Sequence, residues 1–244
     1  MILQGGTNLY GIPIGVIGLE SAYAKVPGHI KNASTFDFPV IYKNVRGVSI
    51  RRLVNEADRS LLKPIIATMR ALEKEGVQAI TGSCGFFALF QREMADAVNI
   101  PVFASSLIQV PMVHCMLKQN QRVGIITARK KSLTKEHLYA VGAGNTPIRI
   151  AGMDDQKEFC DVILEAKRRV LDLEKFEHEV LSVADTFVKN HRDVGAIVLE
   201  CTDLPCFAHL IMQQINLPVF DIITLTNMVY QTIVRKKYDG IMPK

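Results

Sequence analysis

Two cysteines occupy the same position in two copies of one segment of this chain. Residues 77–103 and residues 194–220 align without a gap at an offset of 117 residues, with nine identical pairs among 27, and the alignment pairs Cys84 with Cys201. Two related half-molecules that face each other would place both thiols at one cleft. Such a pair can remove a proton from one face of a carbon atom and return a proton to the other face.

The surroundings of these cysteines indicate how their chemistry would be tuned. Each follows an apolar, strand-like run and precedes a helical pattern, and ligands bind at the carboxyl ends of parallel strands. A helix N-terminus lowers the pKa of a cysteine, so we expect both thiols to be more acidic than usual. Backbone N–H groups after each cysteine, with the Thr202 hydroxyl, are candidate donors for the charge that develops on a substrate. We expect Cys115, Cys160 and Cys206 to be ordinary buried residues.

The elements that must carry the cysteines alternate between strands and helices. Strand-like apolar runs fall at residues 12–19, 40–45, 77–81, 123–126, 148–151, 194–199 and 218–221. Helical stretches separate them, which implies parallel sheets with right-handed crossovers. The predicted fold is α/β, with two pseudo-symmetric doubly wound lobes and the active site in the cleft between them. The first lobe would contain residues 1–105 and 221–244 with Cys84, and the second would contain residues 106–220 with Cys201.

Two further segments are predicted to approach the site. A polar loop runs from about Ser21 to Pro39. Loops of that length without secondary structure are uncommon and usually functional, which makes His29 a weaker candidate for contact with a ligand. Farther along, Ser132 is expected to begin a helix that ends near Val141. Its hydroxyl would either cap that helix or bind a carboxylate.

The composition excludes several classes of function. The chain has 244 residues, a net charge of +5 and five cysteines, with 48% hydrophobic and 22% charged residues. Its basic residues are scattered, which argues against a nucleic-acid partner, and no apolar run approaches the roughly 20 residues of a membrane span. An odd number of cysteines without a signal peptide predicts free thiols in the cytoplasm. Neither a phosphate-binding glycine loop nor metal-ligand spacing occurs, so nucleotide and metal sites are not expected.

Several motifs resemble one enzyme family over nearly the whole chain. The segment LECTDLP at residues 199–205 is similar to the second cysteine motif of the aspartate/glutamate/hydantoin racemase superfamily, and TGSC at residues 81–84 occupies the place of the first. GIIT at residues 124–127, with SLT at residues 132–134, resembles the first strand and the substrate loop of its second lobe. The loop at residues 27–40 resembles one found in a poorly characterised branch of the superfamily.

The resemblance implies an isomerase that works without a cofactor. Cys84 and Cys201 would act as acid and base in a racemase or epimerase of an amino acid or a related carboxylic compound, and Asp203 would assist the second thiol. The partner would be a small molecule with a carboxylate or an imide; homo-oligomers are common among relatives, although no residue here indicates one. The substrate-binding positions that the resemblance carries over are Gly85, Phe86, Thr202, Asp203, Thr127, Ser132, Asn32 and Thr35.

Two departures from the family pattern leave alternatives open. Gly85 and Phe86 stand where amino-acid racemases usually have Asn-Thr, which is closer to hydantoin racemases and puts an aspartate or glutamate substrate in question. Glu200 replaces the usual glycine before Cys201, and the sequence offers no account of that charge. One alternative is a cis-trans isomerase or decarboxylase of the same scaffold that uses one cysteine. The other is a non-catalytic protein that binds a small ligand or senses redox state.

Overall fold

Two four-stranded parallel sheets form the centre of the protein. The computed structural model describes residues 2–241, and the strand orders are β2-β1-β3-β4 and β6-β5-β7-β8. The strands are β1 (Ile14–Gly18), β2 (Val40–Asn44), β3 (Ala79–Gly82), β4 (Val102–Phe103), β5 (Arg122–Thr127), β6 (Ile148–Gly152), β7 (Val194–Leu199) and β8 (Val219–Phe220). This arrangement confirms the predicted α/β fold with two similar parallel sheets.

Helices cover both sheets with apolar stripes. They are α1 (Leu62–Glu75), α2 (Gln91–Asp96), α3 (Gln109–Cys115), α4 (Lys135–Ala140), α5 (Lys157–Phe159), α6 (Leu173–Asn190), α7 (Ala208–Ile215) and α8 (Ile222–Ile233). In α1 the buried residues Ile65, Met69 and Leu72 recur at the spacing of one helix face. The helix ends at Gly76, whose φ of 107° is the left-handed conformation that glycine adopts most readily. Within residues 2–241, every helix is too short or too polar to cross a lipid bilayer.

The last helix packs on the first sheet, not on the second one that precedes it in the chain. Ile222 and Leu225 of α8 share a buried cluster with Ile14 and Val16 of β1. The chain therefore returns to the first sheet after β8; the assignment of residues 221–244 to the first lobe remains a prediction, and residues 242–244 lie outside the described part of the chain.

The duplication is visible in irregular backbone as well as in strands. Two five-residue π-type turns, Arg51–Asn55 and Cys160–Leu164, lie at equivalent places in the two halves. Each is followed by an alanine in the left-handed region, Ala57 at φ 47° and Ala166 at φ 51°. Residues other than glycine adopt this conformation infrequently, and local strain of this kind clusters near functional sites. The shared strain indicates that both turns are held in place by the fold around them.

The helix that was predicted to begin at Ser132 begins later. Ser132 ends a short 3-10 turn, and α4 starts only at Lys135. Thr134 is the N-cap residue, and its backbone N–H donates to Nδ1 of His137 at 3.3 Å. The capping role considered for Ser132 was therefore wrong, because a second hydroxyl residue lies closer to the first full helical turn.

Candidate active site

Both cysteines of the repeat line one cavity at the carboxyl ends of β3 and β7. The cavity is narrow, with a volume of about 30 Å³. Cys201 is buried and Cys84 is partly buried. Its apolar wall includes Ile50, Val54, Ile163 and Leu164, which belong to or adjoin the two π-type turns, together with Leu19 and Phe86. The structure thus brings the paired thiols to a single cavity.

Equivalent hydrogen bonds hold the two cysteine loops. The backbone N–H of Ser83 donates to the carbonyl of Ile17 at 2.9 Å, and that of Glu200 donates to the carbonyl of Ile126 at 2.9 Å. The loops also bond directly to each other, because the Thr202 hydroxyl donates to the Ser83 carbonyl at 2.8 Å. Backbone partners on both sides fix the two thiols relative to each other, and catalysis requires that reacting groups be held in this way.

Asp203 is the centre of a buried hydrogen-bond network beside Cys201. Its Oδ1 accepts from the Tyr23 hydroxyl at 2.8 Å and lies 3.2 Å from Nε2 of His29, while Oδ2 accepts from the thiol of Cys201 at 3.5 Å. Nδ1 of His29 accepts from the backbone N–H of Lys31 at 2.8 Å, so the proton on Nε2 is the one donated to Asp203. Burial raises the pKa of Asp203, but the bonds from His29, Tyr23 and Cys201 outweigh it, and the net pKa is lowered. The residue is therefore a carboxylate at neutral pH.

The two thiols are less acidic than the sequence predicted. Burial raises the pKa of both cysteines well above the ordinary value; the carboxylate of Asp203 adds to this effect at Cys201, and that of Glu200 adds to it at Cys84. The segments after the cysteines begin as 3-10 turns, Gly85–Phe90 and Pro205–Phe207, and the helix-dipole effect is too weak there to offset desolvation. Both groups rest as thiols and need a base or a positive charge nearby to ionise.

Glu200, for which the sequence offered no account, is fully buried at the end of β7. Its Oε2 accepts from the Thr127 hydroxyl at 2.6 Å and from the backbone N–H of Ala128 at 3.2 Å. At the matching place in the first half, the hydroxyl of Ser83 accepts from the backbone N–H of Leu19 at 3.3 Å. Glu200 thus performs the structural task of Ser83, and burial raises its pKa to about 7.

The remaining predicted site residues lie at different depths. Gly85 and Phe86 line the cavity, as do Thr202 and Asp203. Thr127 stands behind Glu200 as its hydrogen-bond donor. Ser132, Asn32 and Thr35 do not belong to the cavity lining found in the described part of the chain, and their role in substrate binding remains a prediction.

The loop that follows β1 supplies two cavity residues, Tyr23 and Lys31, that the sequence did not identify. Asn32 donates to the carbonyl of Lys25 at 2.8 Å, and Thr35 donates to the carbonyl of His29 at 2.9 Å. These bonds hold the loop so that Tyr23, His29 and Lys31 reach the cavity. The length of the loop was the available signal, and it pointed to His29 but not to the tyrosine or the lysine.

We expect Tyr23→Phe to destabilise the protein by about 2 kcal/mol, because it removes a hydrogen bond to a buried carboxylate. The donor helps to lower the pKa of Asp203, so its contribution to stability is present above the unfolded pKa of about 4 and is lost as pH falls through the lowered folded value. Urea denaturation at pH 7 and near pH 3 measures both effects.

The matched control is Tyr139→Phe, which removes a hydroxyl bonded at 3.3 Å to exposed Asn145. We expect that change to cost less than about 0.5 kcal/mol at either pH. An equal loss in the two variants at pH 7 would contradict the network around Asp203.

The chain is similar in sequence to several lyases. The chain is 29% identical over 228 residues to a dimethylsulfoniopropionate lyase of Durusdinium sp. clade D, an alignment that covers 88% of this chain and 73% of the relative. It is 28% identical over 238 residues to dimethylsulfoniopropionate lyase 3 of Emiliania huxleyi, covering 93% of this chain and 61% of the relative. The chain therefore spans less than two thirds of the length of the Emiliania huxleyi protein.

Solved structures share the fold at low sequence identity. An allantoin racemase from Pseudomonas fluorescens superposes with a TM-score of 0.67 at 12% identity, covering 92% of this chain and 91% of that one. A glutamate racemase from Francisella tularensis, solved with D-glutamate, gives 0.58 at 19% identity and covers 91% and 81%. A mutant of arylmalonate decarboxylase gives 0.61 at 16% identity and covers 92% and 95%. A family model described as Asp/Glu/Hydantoin racemase matches residues 14–227, and the chain therefore belongs to that family.

Proposed function

We propose that this protein is a cofactor-independent lyase that removes the α proton of dimethylsulfoniopropionate and eliminates dimethyl sulfide. The observation that carries the proposal is that only one of the two thiols donates a hydrogen bond to a carboxylate among the described residues. Cys201 donates to the buried Asp203 carboxylate, whereas within residues 2–241 Cys84 has no hydrogen bond of this kind. Racemisation in both directions needs each thiol to act in turn as the base, but elimination needs one base. The substrate is the one named for the similar lyases of Durusdinium and Emiliania huxleyi.

The reaction can be written with the groups in the cavity. The positive charge of the bound substrate favours ionisation of the Cys201 thiol, which the hydrogen bond to Asp203 holds in place, and the thiolate then removes a proton from the carbon next to the substrate carboxylate. The electron pair of that C–H bond forms a double bond to the β carbon while the bond from the β carbon to sulfur breaks. Acrylate and neutral dimethyl sulfide result, and one proton passes from the enzyme to solvent.

The walls of the cavity suit the two ends of this substrate. The Nζ of Lys31 donates to the carbonyl of Leu19 at 2.7 Å and to Oδ1 of Asn44 at 3.2 Å, which leaves one of its three hydrogens for a substrate carboxylate. Dimethyl sulfide is an apolar leaving group, and side chains such as Phe86 and Ile163 offer it an apolar surface. Gly85-Phe86 supplies none of the amide or hydroxyl side chains that would bind an amino group.

The test is release of dimethyl sulfide, measured by gas chromatography, together with acrylate measured by proton NMR. We expect equimolar formation of both products from dimethylsulfoniopropionate without added metal or cofactor. Absence of both products over a range of pH would end the proposal.

A racemase remains the second candidate, because the two thiols occupy matching positions and line the same cavity. It predicts α-deuterium incorporation into an amino acid, a hydantoin or a dicarboxylate in deuterated water. It also predicts that this exchange is lost equally when either Cys84 or Cys201 is replaced by serine. The same incubations therefore distinguish the two activities.

A further inference from the structure

We propose that the Glu200 carboxylate binds the positively charged group of the substrate, which makes Glu200 the residue that selects carboxylates with a methylated onium group on the β carbon. The inference rests on the proposed function for the reaction but concerns ligand recognition alone. Glu200 lines the cavity together with both cysteines. Its charge therefore lies beside the space that a ligand occupies when it reaches the thiols.

One oxygen of Glu200 is left without a partner. Oε2 accepts two hydrogen bonds, but Oε1 has no hydrogen-bond partner within residues 2–241, although the side chain is completely buried. A buried, unsatisfied carboxylate oxygen carries a substantial free-energy cost unless it is paired with a donor or a positive charge. A cation in the cavity would remove that cost.

The fold does not require a charge at this position. Ser83 accepts the equivalent backbone N–H in the first half with a neutral hydroxyl. The bond from Ala128 to Glu200 therefore needs an acceptor, not a carboxylate. The negative charge of Glu200 is not needed for this hydrogen bond and is available to bind a cationic ligand.

Asp203 is poorly placed to serve as the cation site. Its two oxygens already face three donors, from Tyr23, His29 and Cys201. Glu200 is therefore the carboxylate of the cavity with free accepting capacity.

The surroundings of Glu200 favour an onium group over a primary amine. An ammonium group needs several hydrogen-bond acceptors, whereas methyl groups on sulfur or nitrogen need apolar contacts and a nearby negative charge. Phe86 provides an aromatic ring on the cavity wall, and Ile50 and Leu164 provide aliphatic surface. Aromatic rings with a nearby carboxylate are a common binding site for quaternary cations.

The test compares two ligands of the same shape that differ in charge, β-trimethylammonio-propionate and its carbon isostere β-tert-butyl-propionate. Isothermal titration calorimetry at about pH 8.5, above the pKa of about 7 of Glu200, gives the two affinities for each variant. We expect the wild-type protein to prefer the cationic ligand by at least about 10-fold, since a desolvated ion pair is much stronger than a solvated one. In Glu200→Gln the two affinities should agree within about threefold.

Two controls separate this effect from misfolding and from general charge. Glu200→Ser copies the residue found at the equivalent place in the first half and should lose the preference as Glu200→Gln does. Glu174→Gln makes the same chemical change at an exposed position on α6 and should keep it. Thermal unfolding of each variant shows whether the fold is intact.

The outcomes are separable from those of the proposed function. Loss of the preference in both Glu200 variants, with Glu174→Gln unchanged, supports the inference even if no dimethyl sulfide is ever released. Three outcomes overturn it. These are a preference that persists in Glu200→Gln, equal binding of both ligands by the wild-type protein, and failure of the wild-type protein to bind the cationic ligand. Release of dimethyl sulfide alongside any of these would leave the proposed function standing without this role for Glu200.

Discussion

Cys201→Ser is expected to lower the rate of dimethyl sulfide release by about a thousandfold while the protein stays folded. Serine keeps the volume of the side chain and a hydrogen bond to Asp203, but its hydroxyl is far too weak an acid to form the base that removes the α proton. Loss of a general base costs typically 10²–10⁴-fold in rate. The measurement is the initial rate of dimethyl sulfide formation, with circular dichroism to check the fold.

Cys84→Ser is the variant that distinguishes elimination from racemisation. A single base at Cys201 predicts a loss of about tenfold or less at Cys84, because the serine side chain changes the cavity wall without removing the base. Cys115→Ser is the control: Cys115 is exposed in the structure, which corrects the expectation that it would be buried, and its replacement should leave the rate unchanged. A larger loss in Cys84→Ser than in Cys201→Ser would reverse the assignment of the base.

The repeat allowed the fold to be predicted with unusual detail. Strands β3 and β7 are short apolar runs that precede the paired cysteines, so a gapless alignment of the two halves located them together. The same alignment predicted that Cys84 and Cys201 would lie at the ends of equivalent strands, and both line one cavity. Strand position is a local property of the sequence, and duplication doubles the signal.

The features that sequence did not predict depend on contacts between distant parts of the chain. Tyr23 bonds to Asp203 across 180 positions, and no periodic pattern in a loop indicates such a contact. The acidity of the thiols was predicted from the helix dipole, but burial beside Glu200 and Asp203 has the larger effect. Burial of a charged residue is decided by the packing of both halves, so the role of Glu200 became visible only in three dimensions.

Gly85→Ala is the second change for which we expect a large effect. Gly85 lies against Glu200, and an added Cβ would collide with both the Oε1 atom and the backbone oxygen of that residue. A side-chain atom can move aside, but the backbone oxygen belongs to the loop between β7 and Cys201 and cannot move without displacing the thiol. We expect a loss of about 3 kcal/mol in the free energy of unfolding, at the upper end of the range for overpacked sites.

The repeat shows why glycine is needed in one half and not in the other. The position equivalent to Gly85 is Thr202, whose side chain fits because it faces the small residue Ser83 and donates to its carbonyl. Gly85 faces the longer Glu200 instead. The two contacts between the loops therefore pair residues of complementary size. The large Glu200, before Cys201, faces Gly85, and the small Ser83, before Cys84, faces Thr202.

A double-mutant cycle tests this exchange. In Gly85→Ala/Glu200→Ser the clash with the side chain is removed but the clash with the backbone oxygen remains, so part of the lost stability should return. Gly6→Ala is the control, because a Cβ there would meet no atom within 4 Å. Urea denaturation gives all four free energies. Strict additivity of the two substitutions would mean that Gly85 and Glu200 do not press against each other, and the glycine would then need another explanation.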